Sequence, residues 1–191
     1  MPKTVFVCAH GAGGHKDDKA MLRLAAALPG IEVIRFNFPY REAGSKRIDP
    51  MPVLKKSFLE NIKPGRPLII GGRSMGGRVA SMLAAEGFEC DGLLLAAYPL
   101  HPAGQPEKLR DAHLPQIRCP VLCLNGTRDA LCRRDLMEAA LAKVNAPWTM
   151  HWIEGADHSF QVLRSSGRND AQVDEEVKEA VGRWLAALPG T

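Results

Sequence analysis

Short, almost entirely apolar runs alternate with longer amphipathic segments along this chain. Six such runs stand at 5–9, 31–36, 68–72, 92–97, 121–125 and 149–153. Because these runs are continuously apolar rather than alternating, they are typical of strands in a parallel sheet that is covered on both faces. The pattern therefore predicts an α/β protein with a doubly wound, mostly parallel sheet of about six strands and helices on both faces.

The helical segments between these runs have readable ends. One begins near Asp18, a second begins at 49–52 with Asp49 as its cap, and the last is predicted to be capped by Asp170. Proline and glycine at 64–65 and at 189–190 are predicted to end the second and the last helix. In such sheets, ligands bind at the carboxyl ends of the strands. The residues that follow each apolar run are therefore the candidates for a functional site.

Composition is that of an ordinary globular protein. The chain has 191 residues, 46% hydrophobic and 24% charged, and one domain over 1–191 is expected. No apolar run approaches the roughly 20 residues of a membrane span, and the run at 4–9 is too short for a signal peptide, so we expect a cytoplasmic protein without a membrane partner. The net charge of +4 is scattered rather than gathered in a stripe, which argues against nucleic acid as a partner.

The five cysteines predict neither disulfides nor a metal site. They are odd in number and spread along the chain, which favours reduced thiols. Cys119 and Cys123 flank an apolar strand and are predicted to lie in the core. No Cys/His pair with zinc spacing accompanies them. We expect no cofactor and no metal.

The segment after the third run contains Gly-x-Ser-x-Gly, with Ser74 between Gly72 and Gly76. A sharp turn between a strand and a helix can hold a serine in a strained conformation with its hydroxyl free, and flanking glycines avoid a collision there. Ser74 is the predicted nucleophile, and the Met75 N–H is the first predicted oxyanion donor. The alternative is a packing turn in which Ser74 only caps the helix.

A serine nucleophile needs a base and a carboxylate that orients the base. Asp129 follows the fifth run and His158 follows the sixth, so both are expected at the sheet edge that carries Ser74. The order Ser, Asp, His is the order expected when the serine lies in such a turn. We predict a triad of Ser74, Asp129 and His158.

The glycine-rich loop after the first run, at 10–14, is expected to supply a second oxyanion donor. The backbone N–H of Gly11 or of Ala12 could serve, with Ala12 favoured. An ordinary glycine-rich turn is the alternative. His10 and His15 are expected to shape this loop rather than to act in catalysis.

These motifs resemble those of a known family. His-Gly-Ala-Gly-Gly, Gly-Gly-Arg-Ser-Met-Gly-Gly-Arg, Gly-Thr-Arg-Asp and Gly-Ala-Asp-His-Ser-Phe look like the small α/β-hydrolases of the testis-expressed protein 30 group, also described as dienelactone-hydrolase-like. The resemblance covers most of the chain and implies the same triad and a carboxylic-ester type of activity. True dienelactone hydrolases have cysteine where this chain has Ser74, so their chemistry is not implied.

Residues after the second and fourth runs are expected to border the substrate. The segment 38–47 is basic, and Tyr40, Arg41 and His101 are the predicted substrate contacts. Arg41 or Arg47 could hold a carboxylate or phosphate, or the segment could be a solvated loop. His101 could line the pocket or form hydrogen bonds within its own loop. The tract 99–120 is too short for a large lid, which predicts a shallow site for small acyl groups.

The motifs together predict a serine hydrolase that acts on a small-molecule ester or thioester through an acyl-enzyme intermediate. The alternative is a hydrolase fold that serves as an interaction module in a larger assembly, with the triad idle. A monomer or a homodimer is expected, because the strand at 148–153 could form an exposed edge that pairs across a dimer.

Overall fold

The computed structural model describes residues 4–63 and 67–188, in which strands and helices alternate. The strands are β1 Val5–Ala9, β2 Glu32–Phe36, β3 Leu68–Arg73, β4 Gly92–Ala96, β5 Val121–Gly126 and β6 Trp148–Ile153. The helices are α1 Lys19–Ala26, α2 Pro39–Glu42, α3 Met51–Glu60, α4 Met75–Ala85, α5 Arg134–Leu141 and α6 Asp170–Ala186. The predicted helix ends at 64–65 and 189–190 lie outside the described residues.

The six strands form one sheet in the order β2-β1-β3-β4-β5-β6. Every neighbouring pair is parallel, which confirms the predicted sheet and leaves β2 and β6 at its edges. The chain runs from β1 outward to β2 and then returns to the other side of β1. This reversal opens a crevice at the carboxyl ends of β1 and β3, where ligands bind in sheets of this kind.

Helices cover both faces of the sheet. On one face, α3, α4 and α5 bury residues such as Leu54, Phe58, Val79 and Met137 against the strands. On the other face, α1 and α6 pack through residues that include Met21, Leu24, Val177 and Trp184. The alternate residues of each strand contribute to these two separate cores, which explains why the strands are apolar throughout.

In the described ranges 4–63 and 67–188, no large lid covers the carboxyl edge. The connection between β4 and β5, at 97–120, holds only a short 3-10 turn at Leu114–Gln116. The predicted fold without a large lid is confirmed. Among the residues that the structure describes, no helix has the length and apolar character needed to cross a membrane.

Two predicted helix caps are wrong. Pro50 is the N-cap residue of α3, and the Asp49 carboxylate instead accepts a hydrogen bond from the Tyr40 N–H at 2.9 Å. Asn169 caps α6 in a reciprocal pair with Gln172, so Asp170 is the first helical residue. In both places an aspartate lies one residue away from the position where the backbone enters the helix.

Of the two cysteines predicted to lie in the core, Cys123 does so, whereas Cys119 packs against the core and is partly exposed. Cys123 is fully buried in β5, as predicted. Cys119 is only half-buried, and its Sγ lies 3.4 Å from the Sγ of Cys90. Both thiols are free and stand before β4 and β5, at the sheet edge opposite Ser74.

The cap of α6 gives a direct test of this helix start. Asn169→Ala should lower the free energy of unfolding by about 1 kcal/mol, because the Gln172 N–H loses its partner. Asp170→Ala removes surface ion pairs with Lys19 and Arg23 and should cost less. Urea unfolding of both variants measures the difference, and a larger loss for Asp170→Ala would contradict the assigned cap.

Candidate active site

Ser74 occupies a strained turn between β3 and α4. Its backbone angles are φ 49° and ψ −114°, in a region that residues other than glycine rarely enter. The Ser74 N–H donates to the Ala96 carbonyl at 2.8 Å, which ties the turn to the end of β4. The side chain is 8% exposed, so its hydroxyl stands at the edge of the sheet with limited access to solvent.

The flanking glycines are needed because the backbone of β1 lies against the turn. A Cβ on Gly72 would come within 2.2 Å of the Ala9 carbonyl oxygen, and one on Gly76 within 2.1 Å of the same atom. Gly72 also has a φ of 139°, which L side chains rarely adopt. The collision inferred from the sequence motif is therefore a collision with one carbonyl group of the neighbouring strand.

The structure brings Ser74, Asp129 and His158 together. The Ser74 hydroxyl lies 3.0 Å from His158 Nε2, within hydrogen-bond distance. His158 Nδ1 lies 2.8 and 3.0 Å from the two carboxylate oxygens of Asp129. With Nδ1 as the donor, Nε2 is left to accept the serine proton. The side chain of Asp129 is fully buried, whereas that of His158 is 24% exposed.

Asn125, which the sequence analysis did not single out, holds the carboxylate of Asp129. Its Nδ2 donates to Asp129 Oδ2 at 3.1 Å and also to the Tyr98 carbonyl, while its Oδ1 accepts from the Tyr98 N–H. The other carboxylate oxygen of Asp129, its Oδ1, accepts a hydrogen bond from the Leu131 N–H at 2.8 Å. A polar side chain at the end of an otherwise apolar strand is the signal that could have identified Asn125.

Backbone hydrogen bonds join the loop of Asp129 to the loop of His158. The Arg128 N–H donates to the Ala156 carbonyl at 2.9 Å, and the Thr127 N–H donates to the Ile153 carbonyl at 3.1 Å. A Cβ on Gly126 would come within 2.1 Å of the Ala156 carbonyl oxygen, so the two loops are in close contact. The separation of His158 and Asp129 is thus set by main-chain contacts.

Arg73, the residue before Ser74, reaches across to the same loop. Its Nη2 donates to the His158 carbonyl at 2.6 Å. Burial lowers the pKa of Arg73, and the nearby carboxylates of Asp18, Asp129 and Asp157 oppose that shift. The variable position of the Gly-x-Ser-x-Gly motif therefore connects the nucleophile turn to the histidine loop, a role that the motif alone does not indicate.

The loop after β1 lies beside Ser74. A Cβ on Gly11 would come within 3.3 Å of the Ser74 Cβ. The Gly11 carbonyl accepts from His10 Nδ1 and from the Gly14 N–H, and the Ala12 carbonyl accepts from the Tyr40 hydroxyl at 2.6 Å. Fixing these carbonyls fixes the peptide planes that carry the neighbouring N–H groups.

His10 joins this loop to the segment after β2 through its two ring nitrogens. Its ring is fully buried, its Nδ1 donates to the Gly11 carbonyl at 2.7 Å, and its Nε2 accepts from the Phe38 N–H at 3.2 Å. Burial lowers the pKa of His10, and the neutral ring is the form that can accept at Nε2. His15 is also engaged, because its Nε2 lies 2.8 Å from Nδ2 of Asn37.

None of the predicted substrate contacts Tyr40, Arg41 and His101 lines the cleft beside Ser74. Tyr40 is 3% exposed and its hydroxyl donates to Ala12. His101 is 2% exposed, with Nδ1 bonded to the Pro102 carbonyl and Nε2 accepting from the Arg133 N–H. Arg41 has a buried Nε without a partner among the described residues, but it does not line the cleft at Ser74. Arg47 lines a separate cleft with Tyr40.

A cleft of about 450 Å³ opens beside Ser74. Residues from the crevice loops and from α3 and α4 line it, including Ala12, Leu54, Ser74, Met75, Arg78 and Arg110. Neither Arg78 nor Arg110 was singled out from the sequence. Within 4–63 and 67–188, no group of three or more His, Cys, Asp or Glu side chains is arranged to hold a metal ion.

The sequence and the fold both match known proteins. The family model described as an alpha/beta hydrolase domain matches residues 2–186. An α-β serine hydrolase homologue from Coxiella burnetii is 20% identical, with a TM-score of 0.70 and coverage of 93% of this chain and 83% of that chain. An α/β serine hydrolase without a lid from Xanthomonas campestris is 23% identical, with a TM-score of 0.66 and coverage of 98% and 83%.

A third similar structure is a dienelactone hydrolase from Anabaena variabilis. It is 19% identical, with a TM-score of 0.69, and the match covers 97% of this chain and 86% of that chain. At these identities, the three structures establish the shared fold.

Gly76→Ala should destabilise the protein, because the added Cβ meets the Ala9 carbonyl in the rigid sheet. We expect a loss of about 1–3 kcal/mol in the free energy of unfolding. Gly13→Ala is the matched control, since nothing lies within 4 Å of its added Cβ. Urea unfolding measures both variants, and equal stabilities would show that the turn can relax around the methyl group.

Proposed function

Because the chain belongs to the family of alpha/beta hydrolase domains, we propose that it is a serine hydrolase that cleaves carboxylic esters or thioesters of small acyl groups. The observation that carries this proposal is the continuous hydrogen-bonded relay from Ser74 through His158 to Asp129 at a strained turn. A serine that only capped α4 would accept a hydrogen bond from a backbone N–H of the helix. The Ser74 side chain accepts no such capping bond.

Acylation would begin when the Ser74 Oγ attacks the carbonyl carbon of the substrate. His158 Nε2 takes the serine proton as the new C–O bond forms. The imidazolium is stabilised by the buried carboxylate of Asp129, whose second partner Asn125 keeps it in position. His158 then donates the proton to the departing alcohol or thiol, which leaves an acyl group on Ser74.

The oxyanion that forms during this attack needs hydrogen-bond donors. The Met75 N–H at the start of α4 is the first donor that we assign, since the Ser74 N–H is already bonded to Ala96. The second donor is the N–H of Ala12 or Gly11, and the bond from the Tyr40 hydroxyl to the Ala12 carbonyl holds that loop in place. Tyr40 thus serves the site by positioning the loop.

Water completes the reaction by deacylation. His158 accepts a proton from water as the water oxygen attacks the acyl carbon. The acid leaves when His158 returns that proton to the Ser74 oxygen. The cleft beside Ser74 has room for a small acyl group, and no large lid must move before the substrate enters. The reaction as written uses only groups of this chain and water.

The resemblance to the testis-expressed protein 30 group supports a finer assignment within the family. Its four shared motifs fall in the loops after β1, β3, β5 and β6, and these loops carry the residues assigned above. We therefore place the chain in that group as part of the proposal.

Ser74→Ala should abolish labelling by a fluorophosphonate probe, because the probe reacts with an activated serine hydroxyl. Hydrolysis of a short acyl ester should fall by about 10⁴-fold or more. Ser166→Ala removes an exposed hydroxyl far along the chain and should label like the native protein. If the folded native protein does not label at Ser74, the interaction module is the better account of this fold.

Asp129→Asn tests the relay separately from the nucleophile. The asparagine can still accept a hydrogen bond from the Leu131 N–H, so the fold should persist. It cannot hold His158 in the required tautomer, and kcat should fall by roughly 10⁴-fold. Steady-state kinetics on a short acyl ester would show this loss. A kcat within about tenfold of the native value would remove Asp129 from the mechanism.

A further inference from the structure

Two arginines line the cleft beside Ser74. Arg78 lies on α4, one turn after Ser74. Its backbone N–H donates to the Ser74 carbonyl at 3.0 Å. Arg110 lies in the connection between β4 and β5 and lines the same cleft. Within the part of the chain that the structure describes, no ion pair includes either residue.

The guanidinium of Arg78 carries a buried donor that is not satisfied. Its Nε is shielded from solvent and has no hydrogen-bond partner among the described residues. Burial lowers the pKa of Arg78, and the nearby Arg110 acts in the same direction because like charges repel. Buried donors of this kind are rare in folded proteins and usually have a ligand or water as their partner.

The position of Arg110 is fixed by contacts that do not use its charge. Its carbonyl accepts from the Tyr98 hydroxyl at 2.8 Å, and its N–H donates to the Leu100 carbonyl at 2.7 Å. Tyr98 is fully buried, so this anchor belongs to the core. Among the described residues, the one hydrogen bond of the side chain is a long 3.5 Å contact with the Pro99 carbonyl. The guanidinium therefore remains available to a ligand in the cleft.

The ionisable groups near the pair include His113, the carboxylates of Asp111 and Glu86 that act on His113, and Asp49 in the cleft. Burial lowers the pKa of His113 to about 4, so this neighbour of Arg78 carries no charge at neutral pH. Asp49 also lines the cleft, and its carboxylate accepts from the Tyr40 N–H. Two arginines thus line the cleft with one carboxylate, and other lining residues, such as Leu54 and Pro102, are apolar.

The geometry points to an anion subsite formed by Arg78 and Arg110, which selects esters whose acyl or alcohol part ends in a carboxylate or a phosphate. Guanidinium groups bind both anions through paired N–H donors. The inference rests on the proposed esterase function, because it assigns a substrate class to that site. It also moves the predicted anion contact from Arg41 or Arg47 to residues that line the cleft with Ser74.

Matched esters test the subsite through turnover. Monomethyl succinate and methyl butyrate have similar chain lengths, but only the first is anionic, and 2-acetoxyethyl phosphate offers a phosphate in the alcohol part. The native protein should favour one or both anionic esters by kcat/KM. Arg78→Met and Arg110→Met should each reduce that preference by about 10- to 100-fold, with methyl butyrate hydrolysis little changed.

Three further variants separate this subsite from general charge effects. Arg118→Met removes one positive charge from an exposed residue that lies before β5 at the opposite sheet edge, and the preference should persist. Arg78→Lys keeps the charge without the paired donors and should keep part of the preference. Arg41→Met should leave the preference intact. Loss of preference in Arg41→Met, or equal losses on neutral and anionic esters in Arg78→Met, would overturn the inference.

Binding to Ser74→Ala separates this inference from the proposed reaction. Calorimetry with monomethyl succinate and with inorganic phosphate should detect binding that Arg78→Met weakens in the same background. Such binding, together with a folded native protein that hydrolyses none of the three esters, would keep the subsite and reject the esterase proposal. Normal hydrolysis of methyl butyrate without any binding or preference for an anion would reject the subsite alone. The ligand that binds more tightly identifies the preferred anion as carboxylate or phosphate.

Discussion

The contact between the Ala9 carbonyl of β1 and the turn at Ser74 is the constraint on which the position of Ser74 depends. That oxygen fills the space that side chains at Gly72 and Gly76 would occupy, so the two strands and α4 can pack only in one way. The contact holds Ser74 in its strained conformation and at the same time brings the loop after β1 against it. The turn at Ser74 and the loop that we propose to hold the oxyanion therefore follow from one packing arrangement.

The remaining members of the relay depend on a different kind of support. Asp129 and His158 sit on loops that are joined by backbone hydrogen bonds, and Asn125 adds a buried amide that orients the carboxylate. Arg73 links these loops to the nucleophile turn through the His158 carbonyl. Because each support is made by a main-chain group or a buried side chain, the relay geometry is largely present before a substrate binds.

Sequence patterns predicted the strands and the order of Ser74, Asp129 and His158 because both depend on local rules. Continuous apolar runs mark buried parallel strands, and parallel strands bring their following loops to one edge. The roles of Arg73 and Arg78 depend on which distant groups surround them, and nothing in their immediate sequence reports those neighbours. The wrong caps at Asp49 and Asp170 have the same origin, since each carboxylate has a partner on another element.

Because β6 is an edge strand, the loop of His158 that follows it should open at a lower free energy than the centre of the sheet. Ser74 follows β3, which has a neighbour on each side, whereas His158 follows β6, which pairs only with β5 and has one fully buried residue, Ile153. Edge segments open locally at lower free energy than central ones. Amide hydrogen exchange with solvent should therefore be faster around His158 than in the central strands. His158 can then separate from Ser74 while the central sheet is still folded. Loss of function and loss of fold are then two separate events.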